Sequence, residues 1–318
     1  MASILSRSSR ALPYIAGAAV AGVAAGTASR TSRQPYIMDS AHNAPTKTLN
    51  FPSSMLFSKQ LTCKSSEQIS PDTKRITFSL PGGDNEISGC PAASAILTQH
   101  TPPGGWLPVL RPYTPVSDPD ARGTVTFIVK QYPKGKASGH MHSLTPGQKL
   151  SVRGPIPGYN WVTPNEPPKQ PRHVLLIAGG AGITPIYSLT KGILSNANDQ
   201  THLELLWGVN GTRDIVLQEE LEQLEQQYPG RLQVTYCVSG DEGKPDAPSL
   251  GDEKKYKKGY VDQEVLKEAI ARCERGQWGD EKGTKVFVCG PPAMENAVAG
   301  KKGILAELGV EPKKIHKF

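Results

Sequence analysis

The stretch Arg111-Pro112-Tyr113-Thr114-Pro115-Val116-Ser117 decides how this chain is read. Seven residues carry one cation, one aromatic face and the hydroxyls of Tyr113, Thr114 and Ser117. Each proline fixes its own φ and pushes the residue before it towards β or polyproline geometry, so the segment is extended. Alternation along a strand then sends Arg111, Tyr113 and Pro115 to one side and Thr114 to the other. Such a strand can stack a ring on a flat ligand and hold a phosphate with the guanidinium. The same residues also fit an ordinary proline-bounded edge strand. The surrounding sequence has to choose.

The chain has 318 residues, more than one typical core holds, which points to two domains. Its 37% hydrophobic and 20% charged residues describe a globular protein. The net charge of +7 is uneven: residues 1–38 hold Arg7, Arg10, Arg30 and Arg33 and no acid. The +3 left for the remainder is too weak to argue for nucleic-acid binding, although a mildly basic face can steer an acidic protein. The five cysteines (Cys63, Cys90, Cys237, Cys273 and Cys289) include no CxxC pair, so neither a zinc site nor a disulfide framework is indicated.

Residues 1–34 read as an address. They are rich in Arg and Ser and free of acid, as mitochondrial targeting segments are. Residues 11–29, ALPYIAGAAVAGVAAGTAS, are uncharged, and as a helix would span ~28 Å, close to a hydrocarbon core. Gly22 and Gly26 make a GxxxG spacing. The segment is expected to be a membrane anchor, or else a presequence that is removed. Residues 35–54 read as a linker.

From 55 to 160 short strand-like pieces alternate with turns such as Pro81-Gly82-Gly83 and Pro146-Gly147, which predicts a closed barrel or sandwich. KGKASGHMHSL (134–144) interrupts them as a short helix entered through a loop. Residues 161–171 carry four prolines and are expected to form the hinge. From 172 to 318 apolar strands alternate with helical patterns, which predicts a parallel sheet with helices on both faces. AMENAVAGKKGILAEL reads as one closing helical segment.

Gly179-Gly180-Ala181-Gly182-Ile183-Thr184-Pro185 joins a predicted strand to a predicted helix, where a glycine turn brings N–H groups against phosphate. Pro185 fits the first helical position. It also stands where a GxGxxG fingerprint would have its last glycine, so a tight structural turn is the competing reading. Cys289-Gly290-Pro291-Pro292 ends another apolar strand, and ligands in open α/β sheets bind beyond such ends. Nothing nearby supplies a base for Cys289, which is therefore expected to line a pocket. His140 and His142 lack a third ligand and are expected at the surface or a pocket edge, and KKYKKGY (254–260) reads as a solvated lysine-rich loop.

Together these motifs resemble the ferredoxin–NADP reductase superfamily and, within it, the NADH–cytochrome b5 reductases of fungal mitochondria. RPYTPVS resembles that family's first flavin motif and KGKASGHMHSL its second; GGAGITP, CGPPAM and a terminal Lys317-Phe318 resemble the nicotinamide-side motifs. ISGCPAASAILT, RGPIPGY and GILAELGV add to the likeness.

The resemblance implies an antiparallel Greek-key β-barrel that binds FAD, followed by a Rossmann-like α/β domain that binds NADH. It places Arg111 and Pro112 at the FAD pyrophosphate, Tyr113 on the flavin ring, Thr114 at the reactive ring nitrogen and Ser117 beside them. Val129, Lys130 and Tyr132 would line the adenine and ribityl side, and Gly135, Lys136, Ala137 and Ser138 the flavin phosphates. Gly179, Gly180, Gly182, Thr184 and Pro185 would receive the NADH pyrophosphate. Cys289, Gly290, Pro291, Pro292 and Met294 would guide the nicotinamide, with Thr114 and Cys289 at the point of hydride transfer and Phe318 near the flavin face. Asp214 would sit by the adenosine ribose and favour NADH over NADPH. Ala137 departs from the family, whose second flavin segment has Met before the serine.

The implied activity is hydride transfer from NADH to FAD and release of single electrons to a haem protein, cytochrome b5, at the mitochondrial outer membrane. A related flavin reductase with another haem acceptor, or a membrane-bound scaffold without turnover, are the alternatives. Arg111, Tyr113, Thr114, Ser138 and the glycine turn speak against the scaffold.

Overall fold

The computed structural model describes residues 47–49, 57–163, 170–240 and 255–318. The expected targeting segment with its 11–29 stretch, most of the 35–54 linker and the middle of the 161–171 hinge lie outside the described residues. Among the described residues no helix is long and apolar enough to cross a membrane. Ala44–Phe318 is one compact unit holding two lobes, each with its own sheet.

The first lobe contains β1 (Lys47–Thr48), β2 (Lys59–Ser70), β3 (Thr73–Ser79), β4 (Glu86–Ile87), β5 (Ala95–His100), β6 (Val109–Tyr113), β7 (Thr124–Lys130), α1 (Lys136–Ser143) and β8 (Lys149–Ile156). Six strands form an antiparallel sheet in the order β6-β5-β8-β2-β3-β7. Alternate residues (Leu61 and Cys63, Ile76 and Phe78, Val125 and Phe127) point inward to one core, as a sheet with one wet face requires. The ladder leaves a seam between β6 and β7. The segment after β6 spans it: the Val116 N–H donates to the Thr126 carbonyl at 2.9 Å, and the Thr126 N–H donates to Ser117 Oγ at 3.0 Å. Helix α1 packs against β5, β6 and β7 over the same seam.

His142 is neither at the surface nor among the lining of a pocket, the two positions expected of it. It is buried on α1, its Nε2 lies 2.7 Å from the Val129 carbonyl, and it fastens the helix to β7. His140 stacks on His100, with ring centroids 3.7 Å apart. Inside the expected linker, Lys47–Thr48 pair with β4 and Leu49 is buried in the barrel core.

The second lobe contains β9 (Arg172–Gly179), α2 (Ile183–Ser195), β10 (His202–Val209), α3 (Gln218–Gln227), β11 (Leu232–Val238), β12 (Tyr256–Lys258), α4 (Gln263–Cys273), β13 (Gln277–Trp278), β14 (Val286–Cys289), α5 (Pro292–Ala299), α6 (Ile304–Glu307) and β15 (Ile315–Lys317). Its parallel sheet runs β12-β11-β10-β9-β14-β15, with β13 also beside β9. β9 is buried on both faces: Val174, Leu176 and Ala178 meet α2 and α3, while Leu175 and Ile177 meet α4, α5 and α6. A strand covered on both sides reads as a continuous apolar run, as HVLLIAGG does.

Three local expectations change. The closing helical segment is two helices, because Gly300 and Gly303 break it; a β-carbon on Gly300 would lie 2.2 Å from the Asn296 carbonyl oxygen. The lysine-rich run is not a solvated loop. Tyr256–Lys258 form an edge strand, and Lys255 pairs with Glu222 and Glu225 of α3 at 3.2 and 3.1 Å. Pro185 is the third residue of α2, not the first, which is still within the turn whose N–H groups have no intrahelical partner.

The lobes share a core. Ala93, Val116 and Ile128 of the barrel join the apolar cluster beneath α2. Around it the Ala93 N–H donates to Ser188 Oγ at 2.9 Å, Arg75 pairs with Glu220, Lys191 pairs with Asp118, and Gly192 leaves only room for Ala92.

Candidate functional site

Strand order fixes where a ligand can lie. From β9 the sheet grows one way through β10 and β11 and the other way through β14 and β15. The carboxyl ends of β9 and β14 therefore flank the switch point, where open α/β sheets open a crevice. Gly179-Gly180 follows β9 and Cys289-Gly290 ends β14, so the two turn motifs meet there. A β-carbon on Gly179 would stand 2.1 Å from Met294 Sδ, and one on Gly182 would stand 2.2 Å from the Cys289 carbonyl oxygen. Both glycines are needed for this close approach, whereas Gly180, at φ +50°, opens to free space. The Trp207 indole N–H donates to the Gly180 carbonyl at 3.1 Å and pins the turn.

A cleft of about 540 Å³ lies against this turn. The barrel contributes Thr73, Ile128, Lys130 and Tyr132; the second lobe contributes Gly179, Gly180, Asp214, Pro291 and Met294 among others. Lys130 bridges the lobes: its ammonium lies 2.9 Å from Asp72 and 3.5 Å from Asp214. Burial works against the Lys130 charge, but the two carboxylates outweigh it and hold the pKa above the usual lysine value. Asp214 also accepts the Gly211 N–H at 3.2 Å, in the short turn Thr212–Asp214.

The remaining expected residues fall into two groups. Around the barrel seam, Arg111 and Pro112 are exposed, Tyr113 is half-buried against the barrel core, and Thr114 is buried. Pro115 is buried while Arg111 is exposed, so they do not share a face; the strand ends at Tyr113 and the chain turns across the seam. Burial raises the Tyr113 phenol to about 12. The Ser117 hydroxyl is engaged with Thr126, and Val129 points into the barrel core rather than the cleft. Gly135 begins α1 with no side-chain cap, and Lys136 beside it is exposed. Ser138 is buried; its hydroxyl accepts the Tyr132 N–H at 3.2 Å and donates to the Gly135 carbonyl at 3.3 Å, with Ala137 packed next to it.

Behind the turn motifs, Thr184 is buried and donates to the Ala181 carbonyl at 3.3 Å. The Gly290 N–H is taken by Glu295 at 3.2 Å, and Pro292 opens α5. Burial pushes the Cys289 thiol up to about 12, so it is protonated and no thiolate nucleophile at neutral pH; it ends β14 behind Pro291 and Met294 and is not itself part of the cleft lining. Phe318 lies outside the cleft lining; its N–H donates to the Val288 carbonyl at 3.1 Å and its ring rests on His316, 4.8 Å away. Trp207, Asn210, Tyr260 and Ala297 also line the cleft and carry no motif. Trp207 stands near the carboxyl end of β10, Asn210 follows that strand and Tyr260 follows β12, so position at a strand's carboxyl end was the available signal for these three.

Two cradles result. A cleft of this size with apolar walls and few polar groups suits a nucleotide. An uncapped helix start beside Lys136, near the exposed Arg111 of β6, suits a diphosphate. The residues present therefore fit both a flavin and a nicotinamide dinucleotide.

Comparison with known proteins agrees with that division. Residues 60–161 match the oxidoreductase FAD-binding domain, and residues 176–300 match the oxidoreductase NAD-binding domain. The chain is 41% identical over 263 residues to NADH-cytochrome b5 reductase 2 of Phaeosphaeria nodorum, covering 80% of this chain and 72% of the relative. It is 40% identical to the protein of the same name in Pyricularia oryzae, covering 79% and 73%. The solved cytochrome b5 reductase domain of Ulva prolifera nitrate reductase superposes with a TM-score of 0.63 at 29% identity, covering 86% of this chain and all of that one. With matching halves in matching order over the two lobes, the chain belongs to the NADH–cytochrome b5 reductase family.

Proposed function

We propose that this protein oxidises NADH through bound FAD and delivers the electrons one at a time to cytochrome b5. The observation that carries the reading is the cleft at the β9/β14 switch point, walled by both lobes, with the barrel seam and α1 beside it. FAD accepts a hydride and releases single electrons, which a nicotinamide alone does not do. The protein's part is position and electrostatics.

Arg111, Lys136 and the first turn of α1 hold the FAD diphosphate, and Tyr113 and Thr114 border the flavin ring. Gly179, Gly180 and the start of α2 receive the NADH diphosphate. Met294 and Pro291, with the neutral Cys289 behind them, form an apolar guide for the nicotinamide and exclude water from it. Asp214 faces the ribose and disfavours a 2′-phosphate, while Lys130 offsets part of its charge. Phe318 is held on His316 and Phe287 at the rim where the nicotinamide enters.

Residues 11–29 anchor the protein in the mitochondrial outer membrane. Their uncharged run beneath an Arg-bearing, acid-free leader supports that placement.

The test is NADH-driven reduction of purified cytochrome b5, with cytochrome c and ferricyanide as comparison acceptors. The protein should be yellow, and turnover with cytochrome b5 should fall as salt rises. Colourless protein, or equal rates with every haem acceptor at all salt concentrations, would overturn the reading. Resistance to carbonate extraction from outer-membrane fractions tests the anchor.

A further inference from the structure

Trp106 stands at the tip of the β5–β6 hairpin with 87% of its surface exposed, and Leu107 beside it is exposed too. The tip has a defined shape. The Gly105 N–H closes a turn on the Pro102 carbonyl at 2.9 Å, Gly104 takes φ +73°, and Pro103 and Pro108 stiffen the two arms. From Gly89 to Ser117 there is no acidic residue.

Strand directions show which end of the barrel carries the tip. β8 starts at Lys149, opposite Thr62 of β2, and β2 runs on from there to Ser70, which pairs with Thr73 at the start of β3. β5 runs against β8, so its last residues lie at the end where β8 and β3 begin. Thr73 also pairs with Lys130, the last residue of β7, and a short loop leads from there into α1. The tip and the start of α1 therefore share one end of the barrel. The stack of His100, the last residue of β5, on His140 of α1 agrees with that placement.

We propose that Trp106 is the platform on which the adenine of FAD stacks, and that it makes the site prefer FAD to a mononucleotide flavin. The proposal rests on the reading above, in which Tyr113 and Thr114 border the flavin ring while Arg111 and the first turn of α1 hold the diphosphate. In that order the cofactor runs backwards along β6, from Tyr113 past Arg111, and the adenosine continues towards the tip. The two residues from Arg111 back to Val109 span ~7 Å, about one ribose unit, and the hairpin turn begins there.

The residues first expected on the adenine and ribityl side are engaged elsewhere: Val129 faces the barrel core, and Lys130 and Tyr132 line the cleft. Among the described residues the exposed aromatic rings are Phe57, Trp106, Tyr132 and Tyr260. Tyr260 also lines the cleft, and Phe57 precedes β2 at the opposite end of the barrel. Trp106 is the ring left for the adenine. Stacking a base on such a ring strengthens binding about ten-fold or more, and an acid-free hairpin leaves the diphosphate unopposed. A protein is the poorer occupant, since a tip of two apolar residues is far smaller than a stable interface.

The full-length holoprotein is equilibrated with equal concentrations of FAD and FMN, and the bound flavin is identified by chromatography after denaturation. Wild type, Trp106→Ala and Trp106→Phe are compared, with far-UV circular dichroism as the check on folding. The expected result is a fall of about ten-fold in the bound FAD to FMN ratio for Trp106→Ala, and a ratio close to wild type for Trp106→Phe. An unchanged ratio in Trp106→Ala would overturn the stack and leave FAD standing as the cofactor. Equal loss of FAD and FMN would also overturn it, because the tip would then act on the flavin half or on the fold. Wild-type protein that holds neither flavin would overturn the reading of the site and the stack together. An unchanged ratio with slower transfer to cytochrome b5 would overturn the stack in favour of a protein partner.

Discussion

Gly182 lies against the Cys289 carbonyl so closely that a β-carbon on it would stand 2.2 Å from that oxygen. The contact joins the turn after β9 to the turn after β14 through backbone alone, and neither side can yield like the end of a flexible side chain.

Gly182→Ala should therefore force the two turns apart. Overpacking of this kind costs about 3 kcal/mol. The expected outcome is a lower urea midpoint and a raised KM for NADH with flavin content unchanged, since the barrel seam is untouched. An unaltered KM would show that the turns tolerate separation.

Asp214 and Lys130 should change nucleotide preference in different ways. A hydrogen bond to a charged group contributes about 1.5–3 kcal/mol, so Asp214→Thr should narrow the NADH over NADPH ratio of kcat/KM by about ten-fold or more. Lys130→Ala should loosen the lobes and weaken the salt dependence of KM for both nucleotides. An unchanged ratio in Asp214→Thr would clear that carboxylate of discrimination.

Stability should fall on mild acidification. His100, His140, His173, His202 and His316 all titrate below their ordinary value of 6.5, chiefly because of burial; the His100 charge adds to it at His140. Below that value the unfolded chain binds more protons than the folded one, so stability is complete above about pH 6.5 and is lost as pH falls towards the lowered values. Urea midpoints at about pH 7.5 and about pH 5.5 should differ, and His100→Gln should reduce the difference. Equal midpoints would contradict the burial of these rings.

The second lobe holds a buried ion pair. Arg172 and Asp199 are almost wholly inaccessible and lie 3.3 Å apart, and Asp199 also accepts the Trp161 indole N–H at 2.7 Å and the Thr201 N–H at 2.9 Å. Removing one partner of such a pair costs about 3–5 kcal/mol. Asp199→Ala should lose that much by urea titration, and a loss under about 1 kcal/mol would mean that Glu281, already 3.0 Å from Arg172, satisfies the arginine by itself.

Cys289 should resist alkylation. With its thiol raised to about 12, iodoacetamide should label it slowly at neutral pH in the native protein and rapidly in urea. Fast native labelling would show an accessible thiolate at the end of β14.

Much of this molecule was legible from local pattern. Period-two strands before 160, apolar strands alternating with amphipathic helices after 172, and glycines at two strand ends gave both lobes, because each signal lies within a few consecutive residues. The family motifs also kept their order along the chain. The residues that line the cleft without a motif, Trp207, Asn210 and Tyr260, were not legible. They meet only because parallel strands bring separate carboxyl ends to one edge of the sheet.

The heptapeptide at 111–117 shows the division most plainly. By itself the sequence determined that two prolines hold it extended and that it carries a cation, a ring and three hydroxyls. Tertiary structure alone decided that the strand stops at Tyr113, that Val116 and Ser117 reach Thr126, and that the segment itself spans the barrel seam. Those partners are non-local: no local propensity says which strand the chain will meet after Pro115. The same holds for Lys130, whose sequence announces a cation and whose partners, Asp72 and Asp214, come from a turn of its own lobe and a turn of the other.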